Sequence, residues 1–239
     1  MPTNLQLLEK ANRTAALFGQ TNLQHVAGTS ADLFPRPQVT FHYQPQFLDL
    51  ADQLLCGKPA GESFSVGICP VRSENSIGRF VTLFGASMSQ LSSSPVLLIE
   101  TDFQHPCLAR YLGAPAAPGL REMLAPAPKN RFDCIHPTRY RNLHLLPVGA
   151  WANGREPRHM KRGLKWVHGL VTKHYQSVII AFPAWNALPG VRSCYALADA
   201  MVLAVRPDSC GAFTVRRAVR RLRKARVNLI GSVLSELEQ

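Results

Sequence analysis

The chain has 239 residues, of which 46% are hydrophobic, and it carries a formal net charge of +12. This length and apolar fraction support one α/β domain with a substantial core, and they exclude wholesale disorder. No stretch is apolar for the length needed to cross a bilayer. The start, MPTNLQLLEKANRTAALF, lacks a basic flank leading into an apolar block. We therefore expect a cytoplasmic protein without a secretory signal.

The cysteines and histidines are scattered along the chain. No two of the six cysteines have CxxC spacing, and most of them have apolar or mixed neighbours. His168 and His174 share a predicted helix, but no carboxylate or cysteine stands with them. The pattern predicts reduced, partly buried thiols and neither a disulfide framework nor a metal site.

The positive charge is confined to the second half of the chain. Residues 1–130 carry nine Lys+Arg and nine Asp+Glu, whereas residues 131–239 carry eighteen basic and six acidic residues. This asymmetry predicts an acidic partner for the C-terminal half, which can be anionic lipid, an acidic protein segment or nucleic acid.

In chain order, residues 1–60 predict an N-terminal region of helical and extended pieces. An apolar stripe runs from Leu5 to Leu17, and a Pro-rich connector leads to a short helix around Phe47 to Leu55. Residues 61–239 predict one P-loop-like α/β domain. Its continuous apolar strands are separated by helices, which is typical of a mainly parallel sheet flanked by helices on both faces.

The strands and helices of this domain follow from the sequence periodicity. The predicted strands are Ser63–Cys69, Pro95–Thr101, Leu143–Val148, Ser177–Phe182, Ala200–Val205 and Val227–Leu234. The predicted helices are Arg79–Gln90, the short segment GLREMLA, Pro157–Tyr175 and Ala212–Arg226.

The loop after the first core strand is where such a fold holds an anionic ligand, because free N–H groups at a helix start face it. Here the strand end and the following segment read CPVRSENSIGRFVTLF. A working P-loop needs glycines to wrap the phosphates, a Lys for the terminal phosphates and a Ser or Thr for magnesium. The segment SENSIGRF lacks most of these groups.

A family resemblance appears in the next strand, in VLLIETDFQHPCLARYLGAPAAPGLREMLA. This run resembles the bacterial tyrosine autokinases of capsule and exopolysaccharide assembly, within the ParA/MinD group of P-loop ATPases. The resemblance extends to LHLLPVGA, HYQSVIIAFPAW and ADAMVLAVRPDSCGAFTVRRAVRRLRKARVNLIGSVL, and it covers roughly residues 45 to 235. It implies a P-loop NTPase-like fold of the ParA/MinD type.

The resemblance also implies which positions have changed. The family's Gly-Lys-Ser/Thr corresponds to Gly78-Arg79-Phe80, and Asn75-Ser76-Ile77 replaces a Pro-Gly-Glu. Glu100 and Asp102 correspond to the Asp-x-Asp pair, while Ala181 stands where a metal-organising Asp is expected. Because phosphoryl transfer relies on positioned cations and magnesium, these changes imply a degenerate site without catalytic residues. The tail SVLSELEQ also lacks the family's tyrosine cluster.

We call Gly78, Arg79, Phe80, Glu100, Asp102 and Ala181 the vestigial nucleotide site. Two interpretations of this site stay open. Glu100 and Asp102 can be polar residues at a strand end with no ligand, or the site can retain anion binding. We expect no cofactor, with ATP and Mg²⁺ bound only if residual binding survives.

The densest charge run is VRRAVRRLRKAR, and an apolar stripe along it predicts that one face packs on the sheet. Either its cations form a solvated face, or together with those of Pro157–Tyr175 they form a basic partner or lipid surface. Without a reading motif, nucleic acid ranks below both lipid and protein. The cations are Arg216, Arg217, Arg220, Arg221, Arg223, Lys224 and Arg226.

The sequence thus predicts a catalytically degenerate, autokinase-like subunit that regulates or scaffolds bacterial polysaccharide synthesis or export. As partner the resemblance implies a membrane-embedded synthesis or export component, with anionic lipid as the alternative, and homo- or hetero-oligomers are consistent with it. The expected location is cytoplasmic, with peripheral contact to the inner membrane. The alternatives are a weak ATPase or kinase using Arg79, Glu100 and Asp102, and a ParA-like protein positioned on membrane or nucleoid by its basic helix.

Overall fold

A computed structural model describes residues 45–56, 62–72, 77–125, 131–150, 160–186, 194–206 and 210–234. The predicted stripe and connector of residues 1–44, together with Asn75, Ser76, Trp151, Arg158 and the tail from 235, lie outside the described residues.

The elements alternate between helices and strands along the chain. The helices are α1 Pro45–Cys56, α2 Gly78–Leu91, α3 Leu108–Leu112, α4 Leu120–Met123, α5 Met160–Val171 and α6 Ala212–Lys224. The strands are β1 Phe64–Pro70, β2 Val96–Glu100, β3 His136–Pro137, β4 Leu143–Leu146, β5 Ser177–Ala181, β6 Ala200–Val205 and β7 Leu229–Leu234.

The strands form one sheet in the order β3-β4-β2-β5-β1-β6-β7. Every neighbouring pair is parallel except β3 and β4, which are antiparallel. The strands β2, β5 and β6 are buried along their whole length, as continuous apolar runs between two helical layers require. The mainly parallel sheet predicted from the sequence is confirmed, and β3 is a short edge strand that the sequence did not predict.

The two faces of the sheet hold separate cores, because successive side chains of a strand point to opposite faces. On β2, Val96 and Leu98 contribute to one core while Leu97 and Ile99 contribute to the other. Helices α1, α2 and α3 cover the first face, and α4, α5 and α6 cover the second. The two basic helices α5 and α6 therefore lie on the same side of the sheet.

The boundaries of the helices differ modestly from prediction. Helix α5 extends from Met160 to Val171 and so ends before Tyr175, while its predicted start at Pro157 lies outside the described residues. The burial of Leu164, Val167 and Val171 confirms its predicted apolar face. None of the cysteines forms a disulfide, and Cys69, Cys134 and Cys194 are buried. Among the described residues, no helix is long and apolar enough to cross a membrane.

Candidate functional site

The carboxyl ends of β1, β2 and β5 lie side by side at one edge of the sheet. Ala181 at the end of β5 is in register with Ile68 of β1 and with Glu100 of β2. Thr101 fixes this corner, since its backbone N–H and its Oγ1 donate to the Ala181 carbonyl at 3.0 and 2.8 Å. The structure thus brings Glu100 and Ala181 together, as expected for two positions of one site.

Glu100 is buried, with a relative exposure of 2%. Its Oε1 accepts hydrogen bonds from the backbone N–H groups of Cys107 and Leu108 at 2.6 and 2.8 Å. Burial raises the pKa of Glu100 to about 7, and the negative charge of Asp102 adds to the rise, while the two hydrogen bonds act in the opposite direction. The carboxyl group is therefore engaged in holding the start of α3.

The amino terminus of α2 packs closely against α3. A Cβ atom at Gly78 would lie 2.6 Å from Cys107 Sγ and 2.7 Å from the Tyr111 ring. Ile77 precedes the helix with φ −94° and ψ 3°, and its side chain does not cap the helix. Gly78 is thus needed for close approach, which is a packing role independent of any ligand.

Phe80, at the position of the magnesium-binding hydroxyl in the family resemblance, lies in the core with 3% exposure. Its ring stacks on Phe84 with centroids 6.2 Å apart and an interplanar angle of 10°, and it meets Phe47 of α1 at 5.4 Å. The neighbouring Arg79 is half-buried. The aromatic cluster occupies the apolar layer between α1 and α2 and supplies no oxygen ligand.

Asp102 is the more accessible acidic residue of this corner, with a side-chain exposure of 27%. Its Oδ1 accepts the backbone N–H groups of Gln104 and His105, both at 3.0 Å, and so closes a local turn. In the described part of the chain, no three His, Cys, Asp or Glu side chains are grouped to hold a metal ion. Because magnesium requires oxygen ligands, Phe80 and Ala181 do not fit a magnesium site here.

The basic residues of α6 and its C-terminal flank are all solvent-exposed. They comprise Arg216, Arg217, Arg220, Arg221, Arg223, Lys224 and Arg226. On the same face of the sheet, α5 exposes Lys161, Arg162 and Lys165. Neither helix contains an acidic residue. We call this array the cationic face.

Trp185 lies between the strand ends and the cationic face. Its backbone N–H donates to the Pro70 carbonyl at 3.3 Å, directly where β1 ends. The Tyr195 hydroxyl contacts the carbonyl oxygens of Pro183 and Ala184 at 3.0 and 2.8 Å and so holds the preceding segment. The only sequence signal for this placement is an aromatic residue soon after a strand, in FPAW.

A second polar cluster at the amino end of β1 joins Ser65, His168 and Asp199. Ser65 Oγ donates to Asp199 Oδ2 at 2.8 Å, and His168 Nε2 lies 3.1 Å from Ser65 Oγ. A nucleophilic serine gives its proton to the histidine, whereas here the hydroxyl proton faces the carboxylate. Burial lowers the pKa of His168, and the charge of Asp199 opposes this. The cluster therefore links β1, α5 and the start of β6 and has no catalytic geometry.

The fold is shared with solved structures of bacterial tyrosine kinases and MinD ATPases. The kinase domain of Escherichia coli tyrosine kinase ETK is 17% identical, with a TM-score of 0.71, over 90% of this chain and 84% of that one. The chimerical protein CapA2B2 is 16% identical, with a TM-score of 0.70, over 85% and 88% of the two chains. MinD from Pyrococcus horikoshii, complexed with Mg-ADP, is 19% identical, with a TM-score of 0.56, over 72% and 70%.

No protein-family model and no curated protein matches the sequence. The structural likeness at this identity establishes a P-loop NTPase-like fold of the ParA/MinD type. This confirms the fold implied by the sequence resemblance. Fold alone does not carry an activity.

Proposed function

We propose that this protein is a non-catalytic P-loop ATPase-like subunit that regulates or scaffolds bacterial polysaccharide synthesis or export. The observation that carries the loss of catalysis is the engagement of Glu100, which is 2% exposed and accepts the backbone N–H groups at the start of α3. Burial of Phe80 and the methyl side chain of Ala181 support it, because neither supplies a magnesium ligand. The polysaccharide context is motivated by the resemblance of the sequence to tyrosine autokinases of capsule and exopolysaccharide assembly.

Nucleotide binding tests the proposal directly. Titration with ATP, with and without Mg²⁺, should give no magnesium-dependent binding in the micromolar range and no turnover. The enzyme alternative rests on the half-buried Arg79 and the accessible Asp102. If turnover is observed and is abolished by Arg79→Ala or Asp102→Asn, the protein is a weak ATPase or kinase and our proposal is wrong.

The cationic face is the proposed contact to a membrane-embedded partner, through an acidic segment of that partner or through anionic lipid at the inner membrane. Its charges are exposed and no acidic residue lies within either helix, so that the surface attracts anions over a Debye length of about 8 Å at physiological salt. A ParA-like positioning protein would use the same face.

Binding of liposomes, DNA and acidic protein segments at two salt concentrations separates these partners. Changing Arg216, Arg217, Arg220 and Arg221 together to Glu should abolish the interaction that the face makes. If the interaction survives all four charge reversals, the cationic face is not the partner contact. The ATP titration tests the loss of catalysis and does not depend on that result.

A further inference from the structure

The indole of Trp185 is a buried donor without an acceptor among the described residues. The side chain has a relative exposure of 8%, and its Nε1 is shielded from solvent with no hydrogen-bond partner in the part of the chain that the structure describes. Leaving such a group unpaired is unfavourable, because its desolvation is not compensated by a hydrogen bond. An incoming acceptor atom at this position would supply that hydrogen bond.

Two guanidinium groups border the same ring. The Cζ atoms of Arg217 and Arg221 lie 6.0 and 5.7 Å from the centre of the Trp185 ring. The two arginines are four residues apart on α6, so that their like charges face each other and repel. Neither of them forms an ion pair with any residue that the structure describes. The positive charge at this corner is therefore uncompensated by the described residues.

We propose that Trp185, Arg217 and Arg221 bind a phosphate group. A phosphate monoester carries about −1.5 to −2 charges at pH 7 and has three peripheral acceptor oxygens, one for each donor group here. Planar guanidinium forks bind phosphate through paired hydrogen bonds, and the anion would offset the repulsion between the two arginines. A carboxylate has one oxygen fewer and less charge, which favours phosphate.

The site is separate from the vestigial nucleotide site. It contains none of Gly78, Arg79 or Asp102, although the backbone of Trp185 is anchored to Pro70 at the end of β1. Both arginine side chains are exposed, so they are able to reorient around a bound anion. The proposal does not depend on the loss of catalysis or on a role in polysaccharide synthesis. The phosphate can belong to a soluble phosphomonoester or to a lipid headgroup.

The indole N–H signals of ¹⁵N-tryptophan-labelled protein provide the test. Inorganic phosphate is titrated at constant ionic strength against chloride, and Trp185→Phe assigns the Trp185 signal. We expect a saturable shift of that signal and none for Trp166, which is 42% exposed and has Arg131 4.3 Å from its ring centre. Trp166 is thus a matched internal control, because one cation lies beside its ring and no second arginine contacts that ring among the described residues.

Variants identify the groups that bind. Arg217→Gln and Arg221→Gln should each weaken phosphate binding at least tenfold by calorimetry, and Trp185→Phe about tenfold, because it removes only the donor. Arg110→Gln and Arg141→Gln, which remove exposed cations outside the cationic face, should change affinity less than twofold. Since the substituted arginines are exposed, unchanged unfolding midpoints verify that these variants fold.

The outcomes that overturn the proposal are equally specific. They are the absence of a saturable Trp185 shift, equal losses in the control variants, acetate binding as tight as phosphate, or binding that Arg79→Ala removes and Arg217→Gln leaves intact. The last result would place phosphate in the α2 loop instead. Vesicles with and without phosphatidic acid, compared with a soluble phosphomonoester, then distinguish the source of the phosphate.

Discussion

Cys107 donates its backbone N–H to Glu100 Oε1 across 2.6 Å, and through this bond the end of β2 holds the start of α3. The same cysteine places its Sγ against Gly78, where a Cβ atom would approach to 2.6 Å. Two positions that the family resemblance assigns to nucleotide chemistry are therefore joined through one residue that packs between them. The first two predictions test these two contacts.

Glu100→Gln should remove a pH dependence of stability. Between about pH 4.5 and 7 the folded protein retains a proton on Glu100 that the unfolded chain has released, so the free energy of unfolding falls as pH rises. Relative to wild type, the Gln variant should gain about 1–3 kcal/mol between pH 5 and 8. Denaturant titrations across this range measure the difference.

The difference between wild type and Glu100→Gln is free of the histidine contribution to the pH dependence of stability, because both proteins contain the same histidines. Burial lowers the pKa values of His144 and His168, so their contribution is lost as pH falls and has the opposite slope. Asp49→Asn, which removes an exposed carboxylate on α1, is the matched control for the loss of one acidic group. A flat difference for Glu100→Gln would mean that its carboxyl group titrates normally.

Gly78→Ala should destabilise the protein by roughly 1–3 kcal/mol, because the added methyl group collides with Cys107 and Tyr111. Gly169→Ala on α5 is the matched control, since among the described residues no atom beyond its own helical surroundings lies within 4 Å of its Cβ position. That variant should stabilise the helix by about 0.5–1 kcal/mol. Thermal unfolding measures both, and equal effects would contradict the packing role of Gly78.

Phe80→Ser introduces the hydroxyl that the family resemblance expects, but it should not create magnesium binding. The change removes a ring that packs on Phe84 and Phe47, and the loss should cost about 3–5 kcal/mol. Phe213→Ser, at a ring that is 78% exposed, should change stability by less than about 0.5 kcal/mol. Magnesium-dependent ATP binding gained by Phe80→Ser would show that its side chain reaches the ligand site.

Tyr195→Phe should destabilise the segment between β5 and Trp185. The Tyr195 hydroxyl is the buried donor that contacts the Pro183 and Ala184 carbonyl groups, and its loss should cost about 1–2 kcal/mol. We also expect line broadening of the Trp185 indole signal, because its backbone anchor loosens. Tyr175→Phe removes a hydroxyl bonded to His144 and should leave the Trp185 signal unchanged. Identical Trp185 spectra in both variants would contradict this anchoring role.

Much of the sheet was predictable because buried parallel strands need continuous apolar residues. The runs SVIIA and AMVLAV appear as β5 and β6, and the residues SFSVGIC largely coincide with β1. The edge strand β3 was not predictable. It spans only His136 and Pro137, and it forms only by pairing with β4. Local residue propensities do not report a pairing between two separate segments.

The vestigial nucleotide site was likewise predictable only in part. The family resemblance implies which oxygen and amine groups are missing at Arg79, Phe80 and Ala181, because it assigns a role to each of these positions. It does not show that Glu100 is buried as the acceptor for α3, because Cys107 and Leu108 reach it only after the chain turns back. The hydrogen-bond partners of Glu100 are therefore set by the path of the chain between β2 and α3.

The amino-acid sequence by itself determined the alternation of apolar strands and helices, the resemblance in fold, and the concentration of positive charge beyond residue 130. Local periodicity and composition are sufficient for those features. Only the tertiary structure decided that α5 and α6 share one face of the sheet and that Trp185 lies beside Arg217 and Arg221. The reason is that a parallel sheet is joined by crossover connections, which bring residues from separate segments together at positions that no local pattern encodes.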